Sequence, residues 1–148
     1  MNYRKLTMTV LSITTVLLVA PVQAADPQDL IDYRNSVMRA IGGHSAAAVA
    51  IVRGQVEHDE HLLQHAEALV ATTRMITALF PADSAEGDTD ALARIWEEPE
   101  AFSAAVANTE QAAEAFLTAV NDGGDIGSAI RDLGMSCRSC HQDYRARR

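Results

Sequence analysis

Apolar positions recur along this chain in steps of three and four, the period of a helix with one buried stripe. Asp26 and Pro27 open the first such segment as an N-cap and a proline at the first helical position. Leu30, Arg34, Val37, Met38, Ile41, Ser45, Ala48, Val49 and Val52 form its stripe. Gly42 and Gly43 fall inside it, and each costs about 1 kcal/mol relative to alanine, so a kink or close contact is expected there. Gly54 is the expected end. Asp59 opens a second helix, with Leu62, Leu63, Ala66, Leu69, Val70, Thr73, Ile76 and Phe80 on its stripe and Pro81 as its stop. Residues 82–90 read as an acidic loop, and residues 91–96 as a short turn anchored by Trp96. A third helix starts at Glu98-Pro99-Glu100, where acidic groups suit the helix dipole. Its stripe is Phe102, Val106, Thr109, Ala113, Phe116 and Val120, closed by Asn121-Asp122-Gly123-Gly124. Asp125 caps a fourth, with Ile126, Ile130, Leu133, Cys137, Cys140 and Tyr144 in line. Four amphipathic helices with mostly short connections and no strand predict an all-α protein, an antiparallel up-down-up-down four-helix bundle.

The chain ahead of this pattern has a different character. Arg4 and Lys5 precede an apolar, uncharged run over residues 6–22, and Val22-Gln23-Ala24 presents small residues at the positions a signal peptidase reads. Residues 1–24 are therefore expected to be a signal peptide cleaved after Ala24, and residues 25–148 the mature domain. The apolar run is short for a bilayer span. The implied compartment is oxidising, in a bacterium the periplasm, and no membrane association is expected after cleavage.

The chemistry sits at Cys137-Arg138-Ser139-Cys140-His141. Cys-x-x-Cys-His is the attachment signal of a c-type haem. On a helix the two cysteines are i, i+3, and Cys137 and His141 are i, i+4, so three groups on one stripe can grip one flat cofactor. The thiols bond the haem edge, and the imidazole meets the iron. A thioredoxin-like pair would come with a βαβ pattern, which is absent. A structural zinc site needs four ligands, and the chain has only two cysteines. One covalent haem c, with its iron, is the expected cofactor, carried on the last helix.

Charge narrows the partners. Loss of Arg4 and Lys5 with the signal takes the formal charge from −8 to −10. Nucleic acid needs clustered cations and is excluded as a partner. Arg138, Arg145, Arg147 and Arg148 gather at the haem end of an otherwise acidic chain. Together with Arg34 they are candidates to hold haem propionates or to steer an acidic redox protein. No nucleophile–base pairing is evident, and an enzyme is not expected.

At this point the chain resembles the class II cytochromes c, the cytochrome c′ family with its low-spin relatives. The resemblance is carried by residues 29–34 (DLIDYR), Leu79-Phe80-Pro81, Ile95-Trp96 and the ending at residues 137–145. It implies a four-helix bundle with one haem c, and dimers formed through the first two helices. It also poses a choice at the sixth iron position. Low-spin relatives carry a methionine ligand from the first helix and transfer electrons. Cytochrome c′ proper is five-coordinate and high-spin, has an apolar residue over the distal face, and binds small gases such as nitric oxide or carbon monoxide.

Met38 decides between them. It lies twelve residues from Asp26, about 18 Å along the first helix, and His141 lies about 10 Å from the end of the antiparallel fourth. The levels agree, and Met38 matches the family's distal position. The leading expectation is an electron carrier with His141 and Met38 as axial ligands and redox proteins as partners. The alternative is a five-coordinate gas binder in which Met38 only packs. Arg34 fits the high-spin pattern, and Ile41-Gly42-Gly43-His44 the low-spin one. Met75 falls off its stripe, and Met135 is two residues from Cys137 on the same helix, so neither is a candidate. His44 lies six residues past Met38, off its face, and is discounted. His58, His61 and His65 fall at i, i+3, i+7 with Glu57 nearby, a weak metal-binding face or a solvated one. Asp83, Glu86, Asp88 and Asp90 lack the closing glutamate of an EF-hand.

Overall fold

Helices leave backbone groups unpaired at both ends, and this chain settles them with the residues its pattern marks. The Asp26 carboxylate accepts from the Gln28 backbone N–H at 2.8 Å, and Asp125 from that of Ser128 at 2.8 Å. Gly123 closes the third long helix at φ 70°, a left-handed turn that only glycine makes without strain. The computed structural model describes residues 25–147, so the signal-peptide reading of residues 1–24 and the terminal Arg148 lie outside the described residues. The elements are α1 (Pro27–Val52), α2 (Leu62–Thr73), α3 (Arg94–Glu97), α4 (Pro99–Asp122) and α5 (Ile126–Tyr144). Single 3-10 turns lie at Asp59–His61, Ile76–Leu79 and Ala82–Ser84. Among the described residues there is no strand, only an isolated bridge between Ala91 and Arg145.

Two expectations need correction. α1 runs unbroken through Gly42 and Gly43. A Cβ added at either glycine would meet nothing within 4 Å, so neither marks a close contact. Two glycines cost about 2 kcal/mol, and burial of a 26-residue helix along its length outweighs that. The second predicted helix, by contrast, is broken at both ends. Thr72 Oγ1 donates to Ala68 O at 2.6 Å and Thr73 Oγ1 to Leu69 O at 2.8 Å. Those hydroxyls compete for the carbonyls that hold the helix, and the chain tightens into the shorter bonds Met75 N to Thr72 O and Ala78 N to Met75 O.

α1, α2, α4 and α5 make the bundle. α4 packs along both α2 and α5, and α1 along α2, whereas α1 and α5 touch only sparsely. Leu69, Val106, Phe116 and Leu133 fill the centre and are almost wholly inaccessible. The fourth side of the square, between α1 and α5, is left for something else. At that end Trp96, Phe80, Phe102 and Tyr144 form, in that order, a run of edge-to-face rings with centroids 6.2, 4.9 and 5.1 Å apart. Trp96 anchors there through Nε1, which donates to the Phe80 and Pro81 carbonyls. Leu92 N bonds Tyr144 O, and Ala146 N bonds Asp90 O, lacing the 82–91 loop to the end of α5. Among the described residues, no helix is long and apolar enough to cross a membrane.

Candidate functional site

The gap between α1 and α5 is an apolar cavity of about 220 Å³. α5 supplies Leu133, Gly134, Cys137, Cys140 and His141, α1 supplies Met38, Ile41 and Gly42, and α4 supplies Phe102, Val106 and Thr109. A second cavity of about 460 Å³ adjoins it and shares Met38, Gly42 and His141. Arg34, Phe80, Thr89, Tyr144 and Arg145 complete that second space.

Helical spacing turns both cysteines of α5 toward the core, where they pack half-buried as free thiols. Burial pushes the Cys140 thiol up to about 11, with Cys137 and Asp143 adding to the effect. Burial raises Cys137 as well. An uncharged sulfur suits this wall, and a thioether carries no charge at any pH. His141 is pushed the other way, by burial and then by Arg145, toward the neutral imidazole that ligates iron.

The residues fit a haem. Two thiols and an imidazole converge on one apolar space, which is the donor set such a group needs. Gly42 and Gly134 line that space from α1 and α5, and a Cβ on either would meet nothing within 4 Å. Glycine there leaves room for a flat ring system against the backbone.

Cys137, Cys140, His141 and Met38 thus line one cavity. Met75 and Met135 are 36% and 59% exposed and do not reach it. Arg34 lines the adjoining space, but its bonds run elsewhere. Its Nη1 donates to Ser84 Oγ at 2.8 Å and to the Leu79 and Ser84 carbonyls, and its Nη2 to Thr89 Oγ1 at 2.7 Å. The guanidinium also lies 4.8 Å from the centroid of the Phe80 ring. Ser84 and Thr89 carry no signature in the sequence; only the fold brings them to Arg34. The three-histidine face divides: His58 stacks on His61, whereas His65 Nδ1 lies 3.0 Å from His44 Nδ1 across the α1–α2 interface. Arg145 lies 3.7 Å from Asp90.

The cytochrome C′ family pattern matches residues 29–145, nearly all of the described chain. The chain belongs to the cytochrome c′ family. Cytochrome c′ of Pararhodospirillum photometricum is 33% identical over 124 residues, 82% of this chain and 99% of that protein. Among solved structures, cytochrome c prime from Shewanella frigidimarina superposes with a TM-score of 0.77 at 26% identity, covering 84% of this chain and all of that one. The nitric oxide complex of a single-residue mutant of cytochrome c prime from Alcaligenes xylosoxidans superposes at 0.76 with 25% identity, covering 85% of this chain and all of that one. This member of the cytochrome c′ family is accordingly a haem c cytochrome, with one covalently bound haem and its iron, on a four-helix bundle.

Proposed function

We propose that this protein is a periplasmic, five-coordinate, high-spin haem c protein that binds small neutral gases, nitric oxide among them. Cys137 and Cys140 anchor the haem as thioethers, and His141 is the protein's ligand to the iron. When bound, haem supplies an iron whose sixth position takes diatomic gases.

The observation that carries this reading is the chemistry of the cavity walls. His141 is the only nitrogen donor among the side chains lining the first cavity. α1 and α4 contribute the apolar Ile41, Val49, Phe102 and Val106, with Ser45 and Thr109 as the hydroxyl-bearing side chains. The Thr109 hydroxyl is engaged within its own helix, donating to Ala105 O at 3.2 Å. A wall this largely apolar disfavours anions and favours a small uncharged molecule. The related Alcaligenes protein, solved as a nitric oxide complex, supports the same reading. Met38 then acts by packing over the face opposite His141.

One observation favours a second reading. Met38 lines both cavities together with His141, which supports its soft thioether as a candidate axial ligand. The protein would then be a low-spin electron carrier. The optical spectrum of the purified ferric protein tests the choice, together with titration of the ferrous form with nitric oxide. High-spin bands and prompt, stoichiometric gas binding are expected. Low-spin bands with a methionine-to-iron charge-transfer band would overturn the proposal in favour of electron transfer.

A further inference from the structure

A second cluster of donors lies at the other end of the bundle. His58, Glu60 and His61 offer ligand atoms that all fall within 4.8 Å of one another. His58 Nδ1 is 3.4 Å from Glu60 Oε1, and His61 Nε2 is 3.6 Å from the same oxygen. Ligands bonded to one divalent ion at about 2.0–2.2 Å stand roughly 3–3.5 Å apart, so small side-chain rotations close this set on a metal. The two imidazoles stack with centroids 5.1 Å apart and planes 18° from parallel.

The turn that carries them is tied down. The Gln64 amide, in its hydrogen-bonding orientation, donates to the Glu60 and His61 carbonyls at 2.8 and 3.1 Å. His61 N bonds His58 O at 2.9 Å. Glu60 and His61 on the 3-10 turn and His58 at its N-cap are thereby held close together, exposed to solvent.

We propose that His58, Glu60 and His61 form a surface site for a divalent transition-metal ion, with water completing the shell. Two imidazoles and a carboxylate suit Zn(II), Ni(II) and Cu(II), and Cu(II) binds tightest. The site is separate from the haem. Glu60 lines a groove with Ile126 at the start of α5, about 22 Å along the helix from His141. His65 is not a ligand, because its ring is paired with His44.

Isothermal titration of the haem-loaded protein with Cu(II) and with Zn(II) tests the site. One ion per chain is expected, with the haem spectrum unmoved. His58→Gln and His61→Gln each weaken binding by about tenfold or more, and His65→Gln leaves it unchanged. The His58 and His61 side chains are exposed and His65 is half-buried at the α1–α2 interface, so circular dichroism checks that each variant is folded. Equal affinity in the wild type and the His58→Gln and His61→Gln variants would overturn the proposal. So would a loss confined to His65→Gln, which would place the metal on the His44–His65 pair.

Discussion

Arg34 and Ser84 stand 50 residues apart in sequence and are joined by a 2.8 Å bond from the guanidinium to the hydroxyl. Ser84 Oγ passes the connection on, donating to Pro81 O at 2.8 Å. Arg34 is 3% exposed, and a charge at that depth persists only with its donors satisfied. Burial pushes its pKa down, but a guanidinium stays protonated. The bonds to Leu79, Ser84 and Thr89 therefore clasp the 79–89 loop to α1 beside the cofactor space.

Arg34→Leu leaves the Leu79 and Ser84 carbonyls without that donor and costs about 3 kcal/mol. Urea unfolding of the haem-loaded protein should show a lower midpoint. The reduction potential should scarcely move. A stable variant with a large shift in potential would assign Arg34 to a haem propionate instead.

The stripe and the caps make α1, α4 and α5 legible in the sequence, because Asp26, Gly123 and Asp125 act locally. The haem donors are legible for the same reason: their spacing is their geometry. What escapes is long-range. Nothing near Arg34 announces Ser84 or Thr89. The break at Thr73 turns on hydroxyls that bond back to the helix, a competition that apolar periodicity does not register. The 58, 61, 65 spacing is helical, but His58 precedes a 3-10 turn at Asp59–His61, and His65 turns to a partner on another helix.

The His44–His65 pair makes stability depend on pH. Burial first, then His44 and His61, lower the pKa of His65. The fold thus prefers the neutral ring, and the unfolded chain takes up a proton at higher pH. Stability from this group is complete above the ordinary histidine value of about 6.5 and is lost as pH falls below it. The urea midpoint should drop between about pH 7.5 and about pH 5.5, and His65→Gln should flatten that slope. An equal slope in the variant would shift the cause to other groups.

Gly42 faces open space on both cavities. Gly42→Ala should keep the fold and add up to about 1 kcal/mol of helix propensity. Gly42→Leu places a branched side chain into the cavity that would hold the cofactor. Intact mass should then show a reduced fraction of haem-bearing chains. Full loading of the leucine variant would mean that α1 keeps more distance from the haem than its glycines suggest.

Met38 separates the two functional readings most directly. It is half-buried against the core and lines both cavities beside His141. In a gas binder it is an obstacle, and shortening it opens the face. Met38→Ala should leave the ferric spectrum high-spin and speed carbon monoxide binding by about tenfold, equivalent to roughly 1.4 kcal/mol of barrier. The lost packing should cost about 2 kcal/mol in urea unfolding. In an electron carrier the same change removes a ligand. The ferric spectrum would then convert from low- to high-spin, and the reduction potential would fall, since a thioether ligand raises it. Stopped-flow mixing with carbon monoxide and a redox titration, run on both proteins, distinguish the outcomes. A spin-state change on substitution would make Met38 an iron ligand and sink the five-coordinate assignment.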